Sequence, residues 1–360
     1  MNRSRPIFYV YPMFKHVSWN VIGEKHCEQL KKGLRVYMID EEALPLVEIY
    51  SNPLVLLHPY FYPFQKWESK LSRKFASVHG VIGIDVADSD RISPYAVRLT
   101  NYALAMIVPS SFSKKAYIKS GVKVPVHVLP HGADTHWFET QPIKTETFRK
   151  LVQIKEKFHS KLLLAYMLHS PYRKGLDLLI KIYNKVKEEY GNVVLVLKTN
   201  NGVGFYSKQI DYKGGDLEKY MSGVVFRGWL NEWQQMELFD ICDMYVLTSR
   251  GGGFEHPPLL ALVRGEAVIG AKGGAWEDFL PEWLLVPSKK SGQVLAGNPI
   301  HTGVGVEMLV DKAVDKILEI FNDLDDYKVR VREYVNTHVR EKFTWEKIGQ
   351  ELKEILQKYL

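Results

Sequence analysis

Short apolar runs alternate with helix-length segments along the whole of this chain, and they do so in two series. In the first series the pattern predicts strands over residues 6–11, 34–39, 53–57, 80–85, 105–109 and 124–129. Helices fall over 19–32, 93–104 and 113–120. A charged stretch, TETFRKLVQIKEKFHSK (145–161), reads as a linker and a helix. The second series predicts strands over 162–167, 193–198, 224–226, 244–248 and 267–270, with helices over 175–190, 232–240 and 259–264. The end is helical, over 310–321 and again over 345–360. Strands that each return through a helix must lie parallel. The expected fold is therefore α/β, with two doubly wound parallel sheets. In such sheets ligands sit outside the carboxyl ends of the strands, where the strand order reverses. Two such halves facing each other would leave a cleft between them.

The chain is long enough for two domains, at 360 residues. A 46% hydrophobic content supplies real cores and excludes global disorder. Its net charge of +7 suits anionic partners. The cations are dispersed with no long Lys/Arg run, which argues against nucleic acid. Two cysteines, Cys27 and Cys242, make no disulfide framework and suit apolar packing. No secretory signal opens the sequence, and no run of roughly 18 apolar residues would span a membrane. The expected location is cytoplasmic, with peripheral contact to an acidic membrane surface left open.

One stretch carries the strongest chemical signal: SRGGGFEHPPLLALVRGEAVIG (249–270). It reads as a strand end, a triple-glycine loop, a helix started by Pro257 and Pro258, and a further strand. Bare backbone at Gly251, Gly252 and Gly253 beside a helix N-terminus suits an anionic group such as a diphosphate. A plain strand–loop–helix connection fits the same residues. Arg173 and Lys174, at a helix start after a strand, form a second cationic point. Lys198 ends another apolar strand, and Ser249 and Arg250 approach from the far side. A solvated basic pair and a snorkelling strand-end lysine are the bland alternatives.

Four blocks in order resemble the retaining GT-B glycosyltransferases of family 4, the glycosyl transferases group 1. They are VPSSFSKKAYIKSGVKVPVHVLPHGADTHWF (108–138), SPYRKGLDLLIKIY (170–183), VVFRGWLNEWQQMELFDICDMYVLTS (224–249) and the glycine loop itself. The ending FTWEKIGQEL (343–352) is similar to the family's last helix, which crosses back to the first domain. The resemblance implies a GT-B fold of two Rossmann-like domains facing a cleft. An N-terminal acceptor domain would span 1–142, joined by a crossing helix at 344–360. A nucleotide-sugar donor domain would span 143–343.

The resemblance further implies donor contacts at His169, Arg173, Lys174, Gly175, Lys198, Gly252, Gly253, Phe254 and Pro257. The family's two signature glutamates are missing: Gly252 and Leu260 hold their places. Glu255 is the nearest substitute for reaching the donor sugar, and Glu266 is either a second substitute or a surface residue. Asp85 and Asp88, just past an apolar strand where the family often has a catalytic-region histidine, are the other catalytic candidates. Asp90 and His58, the latter opening the aromatic run HPYFYPF (58–64), are the acceptor candidates. Capping and turn formation also suit these aspartates, and domain packing suits the aromatic run.

The implied reaction moves a sugar from a UDP- or GDP-linked donor to a glycan, lipid or protein acceptor with retention, the leaving phosphate helping to deprotonate the acceptor. No nucleophile elbow and no His/Asp cluster at metal spacing occurs, so neither a metal nor another cofactor is expected. Alternatives are a GT-B epimerase or a non-catalytic nucleotide- or glycan-binding relative, the latter encouraged by the missing glutamates. A phosphorylase has no motif here, and a dehydrogenase lacks its Gly-x-Gly-x-x-Gly turn.

Overall fold

The computed structural model describes residues 5–168, 170–199 and 223–360. The chain forms two compact units. The first comprises Met1–Asp134, Ala296–Gly303 and Lys342–Leu360; the second comprises Thr135–Leu295 and Val304–Glu341.

Unit one is built from β1 (Ile7–Tyr11), α1 (Ser18–Lys31), β2 (Val36–Asp40), β3 (Leu54–Leu57), α2 (Phe61–Phe75), β4 (Gly80–Ile84), α3 (Pro94–Thr100), β5 (Ala105–Val108), α4 (Ser111–Ser120) and β6 (Val126–Val128). The strands pair in the order β2-β1-β3-β4-β5-β6, all parallel. Successive side chains on a strand point to opposite faces, so the central strands feed two cores. Ile7, Tyr9, Leu54, Leu56, Ile82 and Ile107 pack with α1 and with the C-terminal helix Trp345–Gln357. Val10, Val55, Leu57, Val81 and Met106 pack on the other face with α2, α3 and α4. Gly349 lets the C-terminal helix approach α1 closely, since a Cβ there would lie 2.3 Å from that of Gln29. Cys27 is buried in the first of these cores, as an apolar filler.

Helix boundaries follow local chemistry. Ser93 caps α3 by accepting from the Ala96 N–H, with Pro94 in the first turn. Ser110 caps α4 in the same way, and Gly121 ends it at φ 97°. The aromatic run at 58–64 is a strand end followed by the start of α2.

Unit two holds α5 (Arg149–Phe158), β7 (Lys161–Tyr166), α6 (Pro171–Lys174), α7 (Leu176–Tyr190), β8 (Val193–Lys198), β9 (Gly223–Phe226), α8 (Glu232–Ile241), β10 (Met244–Leu247), α9 (His256–Val263), β11 (Ala267–Ala271), β12 (Leu285–Val286), β13 (Ser288–Gln293), β14 (Val304–Met308), α10 (Val310–Asn322) and α11 (Leu324–Tyr334). Its parallel sheet runs β12-β11-β10-β7-β8-β9. An antiparallel pair, β13 and β14, stands apart from it and was not expected from the sequence pattern. Residues 296–303 lie between those two strands yet belong to unit one. Among the described residues, no helix is long and apolar enough to cross a membrane.

Candidate functional site

In unit two the strand order reverses at β7 and β10, which are neighbours in the middle of the sheet. The segments leaving their carboxyl ends, 167–175 and 248–256, are tied to each other. The Thr248 hydroxyl donates to the Lys174 carbonyl at 2.8 Å, and the Arg250 N–H donates to the Arg173 carbonyl at 2.6 Å. Gly175, at φ 70°, sits where a Cβ would come within 2.1 Å of the Thr248 carbonyl oxygen. A glycine is therefore required at this position by backbone conformation and by close approach. Gly175 is a packing residue between the two switch-point segments.

This tie places the expected cations against the glycine loop. The Arg173 guanidinium is nearly buried and donates to the Gly251 carbonyl at 3.2 Å. Lys174 Nζ donates to Glu255 Oε1 at 2.7 Å, and Arg173 Nη1 stands 4.0 Å from the same oxygen. Glu255 adopts φ 70°, a left-handed conformation that costs an ordinary side chain on the order of 1–2 kcal/mol. Its carboxylate folds back over Gly252, where a Cβ would lie 2.4 Å from Oε1. Two cations, bare backbone and the N-terminus of α9 thus surround a carboxylate supplied by the chain itself.

Other expected residues fall around this point in different roles. Phe254 is buried against Phe279, with ring centroids 5.3 Å apart. Pro257 lies in the first turn of α9. Lys198, at the carboxyl end of β8, donates to the carbonyls of Thr199 and Gly228, and burial lowers its ammonium to about 8. His169 lies outside the described residues.

Two sequence expectations are corrected here. Arg250 does not approach a ligand: it is 2% exposed and grips Asp177 through two bonds of 2.7 Å and Glu307 at 2.9 Å. It is a strut, tying the glycine loop to α7 and β14. Glu266 is neither a surface residue nor a partner of the loop. It is buried at the start of β11, the opposite edge of the sheet from the strands' carboxyl ends, with no partner for either carboxylate oxygen. Desolvation holds its carboxyl well above the usual range.

Unit one carries a cavity of about 390 Å³ at the carboxyl edge of its own sheet. Here too the order reverses, at β1 and β3. Pro12, Lys15 and Trp19 enter after β1, Glu41 after β2, Pro59 and Tyr62 after β3, and Asp85 after β4. Asn298 and His301 complete the lining from the 296–303 segment. That segment is held by the Ser93 N–H, which donates to the Ile300 carbonyl at 2.8 Å, and by the Ser93 hydroxyl, which donates to that of Pro299 at 2.6 Å.

Asp85 is the expected carboxylate that reaches the cavity. It accepts from the backbone N–H of Phe61 and of Val86, each at 2.8 Å, and burial pushes its carboxyl up to about 7. Asp88 presents its N–H to His301 Nδ1 at 3.3 Å, and Asp90 pairs with Lys119 at 2.6 Å. His58 is fully buried behind the wall. Its Nδ1 meets the Tyr9 hydroxyl at 3.1 Å, and its ring packs edge-on to Trp19. Burial holds it neutral, with its pKa well below the ordinary histidine value. The residues that sequence reasoning missed are Lys15, Glu41, Trp19 and His301. The switch-point rule applied to the first series marks the segment after β1, which holds Lys15 and leads into α1 at Trp19; Glu41 follows β2, and nothing local marks it or His301.

The architecture is the GT-B fold. It matches HepE from Anabaena in complex with UDP-glucose at a TM-score of 0.70, with 14% identity over 98% of this chain and 99% of that one. It matches sucrose-phosphate synthase from Thermosynechococcus elongatus at 0.69, with 15% identity and 98% of both chains covered. A glycosyltransferase from Rickettsia africae matches at 0.67, with 14% identity over 100% and 99%. No family model matches the chain. The chain belongs to the family of "Uncharacterized protein 356" of Sulfolobus islandicus rod-shaped virus 1, being 30% identical to it over 367 aligned residues that cover 99% of each. It is also 27% identical to "Putative glycosyltransferase 45" of a Sulfolobus islandicus filamentous virus, over 76% of this chain and 73% of that one.

Proposed function

We propose that this protein is a glycosyltransferase that takes a sugar from a nucleoside-diphosphate donor held by unit two. The observation that carries this reading is the meeting of Arg173, Lys174 and the 251–253 glycine loop at the switch point of the second sheet. As the bond between the anomeric carbon and the phosphate oxygen breaks, negative charge grows on the diphosphate. Cations and backbone donors already in place stabilise that state more than the ground state. A guanidinium holds two phosphate oxygens at once and an ammonium acts as a compact charge. The structure of HepE holds UDP-glucose, which favours a uridine donor here.

The family 4 resemblance supports retention of configuration without a metal ion. The acceptor oxygen bonds to the anomeric carbon on the face the diphosphate leaves, and the acceptor proton passes to the departing phosphate oxygen. In this reading Glu255 competes with the diphosphate for the two cations and serves the sugar hydroxyls of the donor. A non-catalytic binding relative is favoured by one observation, the Lys174–Glu255 pair, which already neutralises part of the anion site.

Thermal shift of the whole chain against UDP, GDP, ADP, their sugar conjugates and NAD tests the donor site. The expected result is stabilisation by one nucleoside diphosphate and its sugar form, abolished in Lys174→Ala. Stabilisation by NAD alone contradicts the reading. Product analysis separates transfer from epimerisation, since an epimerase returns an altered sugar without an acceptor.

A further inference from the structure

An open sheet leaves two edges, and those of unit one are guarded unequally. β6 is three residues long and follows Pro125, which has no N–H to offer at that edge. β2 is five residues long, pairs with β1 without a bulge and contains neither proline nor lysine. An unguarded edge of this kind is a template for a further strand.

The backbone of β2 is free on its outer side. On the inner side the Ile7 N–H donates to the Arg35 carbonyl at 2.9 Å, and the Glu41 N–H donates to the Tyr11 carbonyl at 3.1 Å. Backbone groups of successive residues alternate in direction along a strand, so those of Val36, Met38 and Asp40 point away from the sheet. Among the described residues the Ala43 N–H meets the Asp40 carbonyl, and nothing meets the backbone of Val36 or Met38 on that side. Apolar side chains stand exposed beside this edge. Tyr37 and Met38 are 42% and 39% exposed, one on each face. Phe14 and Leu46 are exposed as well, in segments tied to the end of the strand. There the Met13 N–H donates to Asp40 Oδ2 at 3.0 Å, and the Leu46 N–H donates to the Ala43 carbonyl at 2.9 Å.

The charges select the strand that fits. Lys31, Lys32 and Arg35 precede β2 and meet no carboxylate among the described residues. Their partners are Met38 Sδ, Gln29 Oε1 and the Tyr37 hydroxyl. Asp40, Glu41 and Glu42 stand at the other end. Lys15 and Lys66 pair with Glu41 and Glu42, whereas Asp40 accepts from the N–H groups of Met13 and Glu42. One end of the edge is thus cationic and the other keeps a net negative charge. A second copy laid antiparallel sets unlike charges together at both ends; a parallel copy sets like against like.

We infer that two copies of this chain associate through β2, antiparallel about a two-fold axis at Met38, so that their sheets join into one. In that register the Met38 backbone groups of the two copies bond to each other, and Val36 lies opposite the partner's Asp40. Because each copy uses the same edge, the assembly closes at two chains. A five-residue edge makes a small interface, so the association is reversible and not permanent.

Sedimentation velocity of the full chain over a micromolar concentration series tests this. The expected result is a reversible dimer that weakens as salt rises. Met38→Pro removes the outward N–H at the centre of the pairing, leaves the bonds to β1 and should abolish the dimer. Arg35→Glu, at an exposed side chain, should weaken it roughly tenfold, because an attraction becomes a repulsion at both ends. Adding Glu42→Lys to Arg35→Glu should restore it, since the two charges then exchange signs across the interface. Melting curves of the dilute variants show that each is folded; should Met38→Pro not fold, the charge pair carries the test. Amide exchange over 36–40 should slow in the wild type as concentration rises. A monomer at every concentration, a dimer unmoved by Arg35→Glu, or no restoration by Glu42→Lys overturns the inference.

Discussion

Glu255 is the residue on which the donor site turns. A side chain in the left-handed region is held there by its surroundings, and here the Lys174 ammonium at 2.7 Å does the holding. If the carboxylate stands in for a ligand anion, Glu255→Gly should tighten UDP binding about tenfold in isothermal titration and lower the rate of sugar transfer. A loss of UDP affinity in that variant would place the carboxylate in the binding machinery instead. Glu266 gives a separate prediction. Burial holds its carboxyl well above the ordinary value in the folded chain, whereas it ionises at about 4.3 when unfolded. Its contribution is therefore complete below that value and is lost as pH rises toward the folded pKa. Melting temperatures followed from pH 4 upward should show Glu266→Gln gaining on the wild type as pH rises; parallel curves would contradict this.

Two elements are compelled by close approach. The turn from α6 into α7 passes so near β10 that Gly175→Ala meets the Thr248 carbonyl at 2.1 Å in a left-handed backbone. The conformational cost alone is about 1–2 kcal/mol, and urea denaturation should show at least that loss. A wild-type midpoint would mean that the two switch-point segments are not tied as described. The 296–303 segment is the second such element. Its Ser93 and Asn298 contacts make it part of unit one, although its flanking strands belong to unit two. Local pattern holds no sign of such a return, so the sequence reading left the segment in the second half. α2 was also hidden, because HPYFYPF reads as an aromatic cluster and the helix carries Pro63 in its first turn and a break at Trp67.

For the molecule as a whole, both parallel sheets were legible because each strand is a short apolar run between helices. Strand limits agree to within a few residues, as at 193–198 and 244–247. The glycine loop and the basic pair were legible as well, since both follow strands that flank the switch point. Their counter-charge was not, because a glutamate three residues past Gly252 carries no sign that its carboxylate turns back. The cavity of unit one was half legible: Asp85 follows an apolar strand in an unusual aspartate cluster, whereas Lys15 is a lone lysine in an ordinary loop and Glu41 is the middle of an acidic run, Asp40-Glu41-Glu42, that marks no ligand by itself.

The most direct measurement is release of nucleoside diphosphate from UDP- and GDP-linked sugars in the presence of neutral saccharides, comparing the wild type with Lys174→Ala. Release from one donor is expected, falling on the order of a hundredfold in the variant as a charge-stabilising group is removed. Release that is unchanged in Lys174→Ala would contradict it.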